Sequence, residues 1–147
     1  MKLLILCAVL IFSSSTFAKL EGEWFGKGKG SIGLFKTCKG EAEVEIELQN
    51  SELLIGYSLD CGKDGNVYNE TENLEIRGTQ LYHGKKVVGE INEQGFHYKL
   101  KFEDENYTES GYGKIGEEGR LKISLKGHVG IIRLFRYKAT LARISFD

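Results

Sequence analysis

The sequence predicts an all-β chain, an antiparallel meander that closes into a small β-barrel of eight to ten strands. Three observations predict it. Apolar and polar residues alternate with a period of two in segment after segment, the spacing of a half-buried strand. Short runs rich in Gly, Asn, Asp and Glu separate those segments at hairpin-loop lengths. Nowhere do apolar residues recur at i, i+3, i+4 and i+7 for the length of a helix. The count of zero prolines adds to this, because proline is a common device for blunting an open sheet edge and a closed sheet has no edge to blunt.

The first element is not a strand. MKLLILCAVLIFSSSTFA carries Lys2, an apolar run from Leu3 to Phe12 and then small residues ending at Ala18, the pattern of a secretory signal peptide cleaved after Ala18. The apolar run is shorter than the roughly 20 residues that span a bilayer. Residues 1–18 are therefore assigned to the leader and 19–147 to one β-barrel domain, enough chain for one core and too little for two. Removing Lys2 takes the formal charge from −1 to −2. Charges of both signs are mixed along the sequence with no basic run, so nucleic acid is not expected as a partner.

In LEGEWFGKGKGSIG, residues 20–33, inward placement of Trp24 puts Gly26, Gly28 and Gly30 on the same face. Such a glycine stripe suits a sharply bent sheet or a close backbone approach. In EAEVEIELQNSELLIGYSLDC, residues 41–61, Ala42, Val44, Ile46 and Leu48 alternate with glutamates, and Leu53, Ile55, Tyr57 and Leu59 form the return strand. A turn at Gln49-Asn50 pairs Val44 with Ile55 and Cys38 with Cys61, but places Glu47 against Glu52. A turn at Asn50-Ser51 relieves that repulsion and leaves the cysteines diagonal. In either register Cys38 and Cys61 form a structural disulfide, worth roughly 3 kcal/mol in an oxidising compartment.

Val87 to Ile91 leads through residues 92–95 into Phe96, Tyr98, Leu100 and Phe102, which alternate with polar residues. Leu121, Ile123 and Leu125 mark another strand, and residues 130–146 the last. In that last strand Arg133, Phe135, Tyr137 and Arg143 share one face with Ile131, Ala139 and Leu141. With that face inward, Arg133 and Tyr137 offer a guanidinium and a hydroxyl to the head of an amphipathic anion, and Phe135 packs against its body. The alternative leaves Arg133 and Arg136 on the solvent side with their stems along the sheet.

Gly22-Glu23-Trp24 at the start of the first strand resembles the G-x-W signature of the calycin superfamily, which includes lipocalins and nitrobindin-like barrels. The resemblance implies an up-and-down barrel whose tryptophan plugs one end beneath a cation from the last strand, here Trp24 and Arg143. It also implies a lipocalin-like binding protein, secreted or periplasmic and monomeric, for a small lipophilic or amphipathic molecule. Two alternatives come from other classes: a small outer-membrane barrel, and a protein-binding or inhibitor module on a filled barrel.

Catalytic residues, a metal and a cofactor are not expected, and the chain does not read as an enzyme. His83, His97 and His128 are isolated from one another and from any paired ligand spacing. The serines lack a G-x-S-x-G elbow. Asp60 to Asn66 departs from a calcium loop at Gly62 and Thr71.

Overall fold

The computed structural model describes residues 17–32 and 36–144. The predicted leader, apart from Phe17 and Ala18, lies outside them. Among the described residues are eleven strands: β1 Gly22–Ile32, β2 Lys36–Glu47, β3 Glu52–Asp60, β4 Asn66–Glu70, β5 Leu74–Arg77, β6 Gln80–His83, β7 Lys86–Asn92, β8 Gly95–Phe102, β9 Tyr107–Ile115, β10 Leu121–Val129 and β11 Ile132–Arg143. Every pairing is antiparallel, running β2-β1-β11-β10-β9-β8-β7-β6-β5-β3, with β3 also paired to β2 so that the hydrogen bonds close into a ring.

The strand number exceeds the expected eight to ten for a local reason. β4 pairs with β3 along Gly56 to Asp60, while β5 takes over the same edge at Glu52 and Leu53. Between them Thr71 holds the wall together. Its Oγ1 accepts the Ile55 amide at 3.1 Å and its own amide donates to the Ile55 carbonyl at 2.9 Å.

The β2–β3 hairpin adopts the second of the two anticipated registers. Val44 lies opposite Tyr57 and Ile46 opposite Ile55, so Val44 does not pair with Ile55, and Glu47 faces Leu54 rather than Glu52. The turn is made by Asn50 and Ser51, both left-handed at φ 55° and 59°. Asn tolerates that conformation well. The last rung is Glu41 to Asp60, and beyond it the Cys38–Cys61 disulfide continues the hairpin with the two Cα atoms 5.6 Å apart.

The inner face follows the alternation. Trp24, Val44, Ile55, Leu100, Leu125 and Leu141 are all buried. Glycine sets the wall's curvature by admitting neighbours: a β-carbon on Gly28 would stand 2.8 Å from the Ala42 methyl, and one on Gly30 would stand 2.9 Å from Leu59. Elsewhere an inward aromatic lies over the glycine opposite it, as Phe96 over Gly113, Tyr98 over Gly111 and Phe135 over Gly127. The ring covers the space a side chain would fill, which keeps the glycine-rich β9 packed.

Candidate binding site at the open end

The two ends of the barrel differ. At the end where β1 begins, Leu20 is fully buried and Trp24 is 2% exposed. Trp24 Nε1 donates to the Leu20 carbonyl at 3.0 Å, which ties the chain entry across the barrel mouth. Trp24 is the rung partner of Arg143, and the guanidinium stands over the indole at 5.0 Å. Arg143 also donates to the Ala18 carbonyl at 3.2 Å and to that of Lys19. The anticipated pair is thus brought together as a lid, a cation over a π face with one guanidinium nitrogen bonded to the chain entry. Phe17, on the leader side of the expected cleavage point, packs partly against the core.

At the opposite end the described residues leave the barrel open. A cleft of about 670 Å³ is lined by Tyr57, Leu59, Val67, Leu134, Phe135, Tyr137 and the disulfide. Register puts Phe135 and Tyr137 on the inner face, as the sequence suggested. Tyr137 packs tilted on Tyr57 with ring centres 5.0 Å apart, and Phe135 stacks on the same tyrosine at 6.4 Å. The role expected of the Tyr137 hydroxyl is different. The Tyr137 hydroxyl donates to the Ser58 carbonyl at 3.1 Å, with Glu43 O at 3.4 Å, so the cleft sees the ring while the hydroxyl fastens the wall. Burial, followed by the neighbouring Tyr57 and Glu43, pushes the Tyr137 hydroxyl well above its ordinary pKa.

A second cleft, about 500 Å³, shares Gly30, Ser31, Thr37, Cys38 and Arg136 with the first and adds Lys29, Lys39 and Arg133. Arg133, expected on the inner face with Phe135 and Tyr137, is instead exposed and lines only this basic cleft, because the β10–β11 register shifts between Gly127 and His128, while Arg136 lines both. Ser31 and Arg136 are rung partners on β1 and β11. Among the described residues, Ser31 Oγ and Arg136 Nε are buried without a hydrogen-bond partner. A buried donor left unpaired costs about 1–3 kcal/mol, so these atoms are set to receive an acceptor. Alternation alone places Arg136 on the solvent side; its position at the junction comes from its rung with Ser31 on β1.

Deeper inside lies a group that sequence reading missed. Glu109 is 9% exposed, and its Oε1 accepts the Tyr98 hydroxyl at 3.0 Å. Burial raises the carboxyl pKa, with the Glu72 charge adding and the Tyr98 and Tyr107 hydroxyls opposing. Burial and the Glu109 charge in turn raise Tyr98 and push Tyr107 up to about 12. The available signal was the alternation Tyr107, Glu109, Gly111, Gly113, Ile115, which puts the glutamate on the inner face of β9. Among the described residues no group of three His, Cys, Asp or Glu side chains assembles that would hold a metal ion.

The arrangement can take up a molecule with an apolar body and an anionic head. No family model matches the chain, and no curated protein matches it.

Proposed function

We propose that the protein is a secreted or periplasmic barrel that binds a small amphipathic anion. The apolar body lies in the cleft between Tyr57, Leu59, Phe135 and Tyr137, and the head is received by Ser31, Arg133 and Arg136. One observation carries the reading: an aromatic-lined cleft meets a basic cleft at two rung partners whose buried polar atoms have no partner among the described residues. An apolar site with a few fixed polar groups is the usual form of a small-molecule pocket, and a guanidinium suits a carboxylate or phosphate. The leader pattern and the Cys38–Cys61 disulfide support the extracytoplasmic setting. The G-x-W start, with Arg143 over Trp24, is in keeping with a lipocalin-like barrel and its monomeric habit.

The outer-membrane alternative is disfavoured by the outward residues. Lys27 and Lys29 on β1, Glu43 and Glu45 on β2, and Lys99 and Lys101 on β8 are exposed where a membrane barrel presents an apolar band. β5 and β6 have four residues each, against the nine to eleven or so that a spanning strand needs. The scaffold reading, a protein-binding module on a filled barrel, has less support, because the described residues leave a cleft at the open end.

Native mass spectrometry of the mature protein, purified from its own compartment without detergent, tests the proposal. Extra mass that leaves on denaturation and ionises as an organic acid is expected. A bare polypeptide that also fails to take up a long-chain alkyl carboxylate would overturn it.

A further inference from the structure

The charges that are mixed along the sequence are sorted by the fold. β2 itself changes sign halfway: Lys36 and Lys39 lead into Glu41, Glu43, Glu45 and Glu47. From the basic part of β2 the outer wall runs across β1, β11, β10, β9 and β8, six strands or roughly 24 Å at the usual strand spacing. On its rungs Lys29 lies opposite both Lys39 and Lys138, Lys126 opposite Arg136, and Lys122 opposite Lys114. Like charges directly opposite in a sheet are destabilising. One rung is compensated, Lys27 with Glu41 at 3.7 Å. The repulsion reaches Lys138, whose ammonium is held below its ordinary pKa chiefly by Arg136, then by partial desolvation, Lys126 and Lys29.

Within this wall is a shallow dish of about 590 Å³, floored by Gly28, Gly40, Ile123 and Ala139 and rimmed by Lys27, Lys29, Lys39, Lys122 and Lys138. Gly28 and Gly40 are rung partners, so no side chain rises from that rung. Tyr112 borders the dish at 49% exposure, beside the hydroxyls of Ser124 and Thr140. A concave site with a cationic rim, hydroxyls and one flat ring fits a sugar polymer that carries an anionic group on its units.

We propose that this wall is a docking face for an acidic polysaccharide, its sulfates or carboxylates on the lysine rungs and one sugar face against Tyr112. Two other polyanionic partners fit less well. Single-stranded nucleic acid is held by successive aromatic platforms, and the dish has one. A bilayer takes up apolar side chains at its surface, and the apolar residues of the dish, Ile123 and Ala139, are buried. The site lies on the outer wall and shares Lys29 and Lys39 with the basic cleft of the open end, but Lys122, Lys138 and Tyr112 belong to the dish alone, and the proposal does not rest on the ligand reading of that end.

Isothermal titration of the full mature protein against heparin and against polygalacturonate, in low and moderate salt, tests it and separates sulfate from carboxylate recognition. Binding to at least one polymer is expected, weakening roughly tenfold as salt rises. The double variant Lys29→Gln/Lys138→Gln should weaken it roughly tenfold and flatten the salt dependence. This variant removes repulsion, so its melting temperature should not fall. Lys63→Gln/Lys85→Gln, away from the wall, should change binding by less than about twofold. Tyr112→Ala should weaken binding while leaving the salt slope intact, as expected for an uncharged packing contact. Failure to bind either polymer, equal effects of the two double variants, or tighter binding to a deoxythymidine oligomer or to anionic phospholipid vesicles would each overturn the proposal.

Discussion

The closed and open ends of the barrel are built from the same strands, yet one is finished and the other is not. Where β1 starts, Leu20 and Trp24 are buried, the indole N–H is bonded and Arg143 covers the ring. Where β1 ends, the inward residues Cys38, Cys61, Val67, Phe102 and Phe135 are only half-buried, and Ser31 Oγ and Arg136 Nε lack partners among the described residues. The closed end stabilises the barrel, while the open end keeps unmet binding capacity. Substitutions should therefore divide by location, closed-end changes lowering stability and open-end changes lowering affinity.

The largest effect is expected at the plug. Trp24→Ala removes a buried indole and unroofs Leu20, and should cost about 3–5 kcal/mol in chemical denaturation. Next, Cys38→Ser/Cys61→Ser opens the hairpin at the cleft and should cost roughly 3 kcal/mol, read as a lower denaturation midpoint that reduction of the parent protein reproduces. At the open end, Arg136→Met should leave the melting temperature within a few degrees while weakening an alkyl carboxylate about tenfold, a loss of about 1.4 kcal/mol.

Smaller effects sharpen the contrast. Tyr137→Phe keeps the ring that lines the cleft and loses the bond to Ser58, so a stability loss of about 1 kcal/mol with little change in affinity is expected. Glu109→Gln should act in the opposite direction. With the folded carboxyl pKa raised by burial, the folded state holds its proton more tightly than the unfolded chain. Stability is therefore greatest below the unfolded value and is lost as pH rises through the folded one. Gln keeps an acceptor for Tyr98 and removes the charge, so at neutral pH the variant should melt higher, by about 1 kcal/mol or roughly 4 °C. The difference should vanish in acid, as a thermal melt series across pH would show.

The parts legible in the sequence are those set by local alternation. Ala42 to Ile46, Phe96 to Leu100 and Leu121 to Leu125 bury the residues their period assigns, and the odd face of β11 does point inward at Phe135 and Tyr137. The disulfide followed from the hairpin alternation, and the Trp24–Arg143 rung from what the G-x-W resemblance implied. Register in the β2–β3 turn was settled by Asn50 and Ser51 entering left-handed conformations together, a choice that apolar alternation leaves open. β4 to β6 were unreadable because Asn66 to His83 has few apolar residues and three short strands share it, β4 and β5 dividing one edge of β3 around Thr71 and β6 pairing with β5 and β7. The basic wall was hidden for a topological reason. Lys29, Lys39, Lys114, Lys126 and Lys138 come from five strands, and only the closure of β1 onto β11 makes neighbours of residues more than a hundred positions apart.

The most direct test of the open end as a site for an amphipathic anion is a paired titration of the mature protein with a long-chain alkyl carboxylate and the alcohol of equal length. The arrangement of Ser31 and Arg136 beside the tyrosine-lined cleft predicts that the acid binds at least about tenfold more tightly than the alcohol, and that Arg136→Met removes the preference without abolishing uptake. Equal affinity for the two, or a preference that survives the substitution, would contradict it.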